Sequence, residues 1–179
     1  MKYETISDIY AANEQARDRF RATVEGLSTA EATGLPEGEK WSIAMIIEHL
    51  SMVEFGTSRI CARLVEAAKA DGKPGDGHVS LSADFGEKSK AVAGIKVEAP
   101  ERVHPTGSVT IADSLERMTA NRADLEALRD DLEHLDLSGH TFPHPFFGDI
   151  TATEWLIVLG GHEARHTKQI ERLLAQIRQ

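Results

Sequence analysis

Two histidines one helical turn apart, His162 and His166, enclose Glu163 in the stretch HEARH, which fits the pattern H-E-x-x-H. On a helix this spacing turns both imidazoles to one face, where they can reach a single divalent ion, and it offers the glutamate as a general base. Two imidazoles do not hold a catalytic metal, so the position of a third ligand decides the chemistry. Proteases of this pattern draw it from downstream. Only 167–179 follows here, without another histidine, and Glu171 lies too close along the same helix. The missing downstream ligand therefore makes the five-letter match a coincidence rather than a protease site, while Glu163 remains a candidate for a supporting role or for a base.

The elements that must position these residues are helices. Apolar residues recur at three and four positions over 4–27, through Ile6, Ile9, Tyr10, Phe20, Val24 and Leu27, which predicts a first helix. STAEATGLPEGEK then breaks the path as a connector with a short capped turn at its start. Ser42 is a good N-cap for a second helix that runs on Ile43, Ile46, Ile47, Leu50, Val53, Leu64 and Val65 towards Ala70. The segment 71–106 is rich in glycine and proline, Gly94 among them, with room for a short helix over 87–93. A connection this long in a compact domain is usually functional or mobile.

A third helix is expected from Ser108 or Thr110 through Leu135, and SGHTFPHPFFGD follows it as an aromatic loop. Thr151 and Glu154 form a capping box that opens a fourth helix on Trp155, Leu156, Leu159, Ile170, Leu173, Leu174 and Ile177. Four long amphipathic helices without a convincing strand pattern predict an all-α four-helix bundle, one domain over 1–179. The long second connection implies a topology other than simple up-and-down.

His162 and His166 fall inside the apolar stripe of the fourth helix and point inward, where imidazoles need partners or a shared metal. Among the other histidines, His49 alone lies well inside a long helix beside an apolar stripe, near Val53 and with Gly56 leaving space. It is the best third ligand. His78, His104 and His140 sit in loops and His134 near a helix end, where solvated side chains are expected. His144, just before the fourth helix, reads as a packing or hydrogen-bonding residue. Three imidazoles without a carboxylate ligand leave coordination positions for water or substrate and suit Zn(II) or Ni(II). Asn13, Arg17 and Arg122 also interrupt the apolar seams. Singly, the arginines read as side chains that snorkel outward. Together with the histidines, Arg17 and Arg122 would line a pocket and receive a substrate's carboxylate or thiolate.

The totals exclude several classes. The chain has 179 residues and 41% hydrophobic content, enough for one real core. Its single cysteine, Cys61, permits no internal disulfide and reads as a buried thiol without a role. Acids outnumber basic residues 29 to 20, and the basic residues are scattered, so nucleic acid is not an expected partner. No stretch approaches the length of a membrane span, and MKYETISDIY lacks the apolar segment of a signal peptide, which predicts a cytoplasmic protein. Phe146 and Phe147, read as exposed apolar loop residues, would favour pairing into a homodimer.

Three stretches, WSIAMIIEHL, APERVHPTG and HPFFGDITATEWLIVLGGHEARHTKQIERLL, together resemble the DinB-like (DinB/YfiT-like) superfamily of metalloenzymes, and the likeness spans nearly the whole chain. The resemblance implies a four-helix bundle with one histidine of the second helix and two of the fourth on a divalent metal, a pattern that maps onto His49, His162 and His166. It also implies metal-dependent transfer or isomerisation reactions that use a low-molecular-weight thiol such as mycothiol, bacillithiol or glutathione. A small-molecule substrate and thiol-dependent S-transfer form the leading expectation; a metal-dependent hydrolase and a non-enzymatic metal-binding bundle are the alternatives.

Overall fold

The computed structural model describes residues 3–93, 95 and 98–179; Gly94, one of the breakers of the long connection, lies outside them. The four long helices and one short one begin where a side chain satisfies free amides. Helix α1 (Ile6–Val24) is opened by a capping box of Thr5 and Asp8, the short α2 (Thr29–Thr33) by one of Ser28 and Glu31, and α3 (Ile43–Asp71) by the Ser42 hydroxyl on Met45 N. Helix α3 stops at Gly72, whose φ of 63° places it in the left-handed region that a side chain would disfavour. After α4 (Phe85–Ala93) and a 3-10 turn over Glu101–Val103, Thr110 caps α5 (Ile111–Glu126), which is followed by α6 (Arg129–His134). The capping box of Thr151 and Glu154 opens α7 (Ala152–Ile177). No helix among the described residues is long and apolar enough to cross a membrane.

The long bundle helices are α1, α3, α5 and α7, as the periodicity predicts. Three details differ. The first helix ends at Val24. The third is interrupted at 127–128, where the Tyr10 hydroxyl donates to the Leu125 carbonyl at 2.7 Å. The aromatic loop before α7 contains an antiparallel hairpin, β1 (Thr141–His144) with β2 (Gly148–Thr151), in which Phe142 faces Ile150. Phe147 in its turn is buried against Phe85, so it serves the chain's own core, while Phe146 stays exposed.

Side-chain pairs give the helix directions. Asn13 meets Leu156, Arg17 meets Glu163 and Arg19 meets Glu171, so α1 and α7 run parallel. Ser51 meets Asn121 and Lys69 meets Asp131, so α3 runs parallel to α5 with its α6 extension. His49 meets His166 while Cys61 meets Ala152, so α3 is antiparallel to α7. The order is up, down, down, up, and the chain between α3 and α5 must travel back along the bundle. It does so in contact. Val79 N bonds Glu4 O beside the start of α1, Ser82 N bonds Glu154 Oε1, and Arg165 of α7 holds the carbonyls of Val92 and Ile95.

The core is divided. One apolar cluster gathers Ile9, Cys61, Leu64, Val65, Leu125, Trp155, Leu156 and Leu159; the other gathers Phe20, Ile46, Ile47, Leu50, Met118, Ile170 and Leu173. Between them every bundle helix turns polar inside: Asn13 and Arg17, Ser51 and Glu54, Asn121, Glu163 and Thr167 are all buried. The bundle therefore has a polar waist, and the histidines lie at that level.

Candidate metal centre

His49 stands on α3 beside Glu48, between Ile47 and Leu50. His162 and His166 stand on α7 between Leu159 and Ile170. The antiparallel packing of these two helices brings the three rings together. His162 Nε2 lies 3.3 Å from His49 Nε2 and 3.2 Å from His166 Nε2. One nitrogen from each of the three rings lies within 4.8 Å of the others, the single such convergence of histidine, cysteine or acidic side chains among the described residues. Zinc–nitrogen bonds of about 2.0–2.1 Å at tetrahedral angles put neighbouring ligand nitrogens roughly 3.3–3.4 Å apart, so the two spacings about His162 are compatible with a divalent ion.

The backs of the rings fix which nitrogen is free. His49 Nδ1 donates to the Val103 carbonyl at 2.7 Å, which leaves Nε2 as an acceptor. His166 Nδ1 pairs with Gln169 Oε1 at 2.9 Å, with the same result. His162 Nδ1 is buried without a protein partner. Two acceptor nitrogens thus flank His162 Nε2, which can donate to one of them at most, whereas a cation satisfies all three lone pairs. Burial also keeps the rings neutral, as metal ligation requires. It depresses His49, drives His162 well below the usual histidine range with help from His166 and His49, and brings His166 down to about 4.

Two acids that the sequence reading passed over shape the surroundings. Glu48, next to His49 and buried, accepts from Thr106 N at 3.0 Å, Thr106 Oγ1 at 2.8 Å and Gly107 N at 2.8 Å. Burial would raise its pKa, but these bonds outweigh that and hold it below the ordinary value. Glu54, nearly two turns further along α3, accepts from Arg17 Nη2 at 2.6 Å and from Arg122 Nε at 2.5 Å. The same arginines reach Glu163, whose oxygens lie 2.7 Å from Arg17 Nε and 2.8 Å from Arg122 Nη2. Arg17, Glu54, Arg122 and Glu163 form a closed ring of alternating charge, one member from each bundle helix. The sequence signals were that Arg17 and Arg122 interrupt apolar faces and that Glu163 stands between the two inward histidines.

Arg17 is 2% exposed and does not snorkel outward; the anions it meets are the chain's own carboxylates. The same two carboxylates occupy Arg122, which also lines a cavity of about 430 Å³ between α1 and α5 with Tyr10, Asn13, Leu125 and Leu156. Glu163 has both oxygens engaged by guanidinium groups, and burial raises its pKa against their pull. To act as a base it would first have to leave one of them.

The remaining histidines find other partners. His144 packs against Trp155 and Phe147, accepts from Phe146 N, and is depressed by burial to about 4. His78, His104 and His134 are hydrogen-bonded to backbone carbonyls, and His140 to Asp71. Cys61 is fully buried and its thiol is pushed up to about 12, a packing residue without nucleophilic character.

Comparison with known proteins agrees with this architecture. A solved structure described as TT2238, a four-helix bundle protein, superposes with a TM-score of 0.63 at 23% identity, covering 94% of this chain and 99% of that one. The uncharacterized protein YuaE of Bacillus subtilis (strain 168) is 25% identical over 158 residues, 86% of this chain and 90% of its own length. Residues 12–170 match the DinB superfamily. With that match over most of its length, and a three-histidine cluster compatible with a divalent metal, the chain belongs to the DinB superfamily.

Proposed function

We propose that the protein is a metal-dependent enzyme for a small molecule, with zinc or nickel held by His49, His162 and His166 and a low-molecular-weight thiol as the second reactant. The observation that carries this reading is the convergence of three Nε2 atoms at ligand spacing, with the backs of His49 and His166 committed to other partners. Three neutral donors leave the ion's charge uncompensated and part of its coordination sphere open, which favours an anionic, soft ligand such as a thiolate. When bound, the ion would supply Lewis acidity that lowers the thiol's pKa. His49 and His166, fixed from behind, would orient it, and the charge ring beneath would keep His162 at the right height.

The test is elemental analysis of untagged protein, followed by a screen of mycothiol, bacillithiol, glutathione and cysteine with model electrophiles. About one equivalent of metal and thiol consumption lost in His162→Ala would support the proposal. Ester or amide turnover without any thiol would instead favour a hydrolase. A bundle that uses metal only to support its fold would gain melting temperature with zinc and turn over nothing.

A further inference from the structure

Glu48, next to His49 on α3, bonds the same returning segment that stands behind the His49 ring. Its carboxylate gathers three donors from the Thr106–Gly107 turn, 58 and 59 positions away in the chain. That turn ends the stretch that begins with the 3-10 turn Glu101–Val103, and the Val103 carbonyl is the acceptor for His49 Nδ1. Glu48 and His49 are consecutive on α3, so the helix grips the returning segment at two neighbouring points, by a carboxylate on Thr106 and Gly107 and by an imidazole on Val103. The 3-10 turn is also anchored at its end, where the His104 ring packs edge-on against Trp41. Glu101 and Arg102 are exposed, and no side chain caps its start.

We infer that Glu48 is the positioning residue of the centre, holding the Thr106–Gly107 turn so that the Val103 carbonyl fixes the tautomer and aim of His49. The inference deepens the metal reading, but its structural half does not depend on a metal. A buried carboxylate with three donors on it is costly to replace, because Gln exchanges one of the two accepting oxygens for an NH2 that can only donate, while the turn points donors at both. Losing that grip lets the carbonyl drift from Nδ1, and His49 Nε2 is then free to take the proton and cease to be a ligand. Partners that orient a ligating histidine are commonly worth about 10- to 100-fold in metal affinity.

The experiment uses the full-length protein labelled with ¹⁵N-histidine, first metal-free and then titrated with zinc. In the unaltered protein His49 should show a protonated Nδ1 and a bare Nε2. Glu48→Gln should shift these signals towards a mixture of tautomers and weaken zinc binding about tenfold. Thr106→Val keeps both backbone donors and should change both readouts less, in the same direction. It also serves if Glu48→Gln does not fold. Asn121→Ala removes a buried hydrogen bond to the Ser51 carbonyl on the same helix without touching the returning segment; it should lose stability and keep both His49 signals and zinc affinity. If Glu48→Gln and Thr106→Val lower the melting temperature yet leave the His49 signals and zinc affinity as they were, the positioning role is wrong. If the unaltered protein takes up no zinc, the metal reading falls, and the His49 signals alone decide the role of Glu48.

Discussion

Arg17 Nε lies 2.7 Å from Glu163 Oε1, a contact between α1 and α7 in which both side chains are at least 97% shielded from water. Such a pair contributes little net stability by existing, since desolvation offsets the attraction, but breaking it strands a charge. Arg17→Met should therefore cost about 3–5 kcal/mol in urea unfolding, because Glu54 and Glu163 would share Arg122 alone. Glu163→Gln should cost less, since the amide keeps one acceptor. An Arg17→Met protein as stable as the parent would show that water reaches the waist.

The imidazoles set an acid limit. His144 and His166 are held near 4, below the 6.5 of an exposed histidine, so between these values the unfolded chain binds protons that the folded one refuses. Their contribution is complete above pH 6.5 and is lost as pH falls towards 4. Urea midpoints measured across that window should fall with acidity, and His144→Phe should flatten part of the slope.

A divalent ion binding only the folded state must raise the melting temperature by mass action. Zinc at about a hundred times its dissociation constant should add roughly 2.7 kcal/mol. His49→Ala, His162→Ala and His166→Ala should each lose most of this gain. Equal gains in all four proteins would place the ion elsewhere.

At Gly160, α7 leaves no room for a side chain against α1. A Cβ there would run into the Asn13 amide, whose nitrogen donates to Leu156 O. Gly160→Ala should destabilise by about 1–3 kcal/mol. Adding Asn13→Ala should recover part of that loss, a non-additivity that a double-mutant cycle reads directly.

Much of this architecture was legible in the chain itself. Ile46, Ile47 and Leu50 share a stripe with His49, and Leu159 and Ile170 bracket His162 and His166, so the periodicity of the apolar residues marks both the helices and the inward histidines. Glu48 and Glu54 escaped because a glutamate inside a long helix usually faces water, and their partners lie tens of residues away. Arg17 and Arg122 were visible as interruptions, but their meaning depends on which helices face each other, and no local pattern encodes that. The hairpin escaped for a different reason: Pro143 and the turn at 145–147 carry the marks of a loop, and the packing of Phe142 on Trp155 is a contact that no local pattern encodes.

The charge ring has one more consequence. Arg17 with Glu163 closes within the parallel pair α1 and α7, and Arg122 with Glu54 within the pair α3 and α5, so each half of the bundle neutralises itself. The two remaining bonds, Arg17 to Glu54 and Arg122 to Glu163, cross between the halves and work like the marks of a vernier. Sliding one half by a single turn, about 5.4 Å, breaks both. His49 belongs to one half and His162 and His166 to the other, so the alignment that the ring enforces also brings the three imidazoles level.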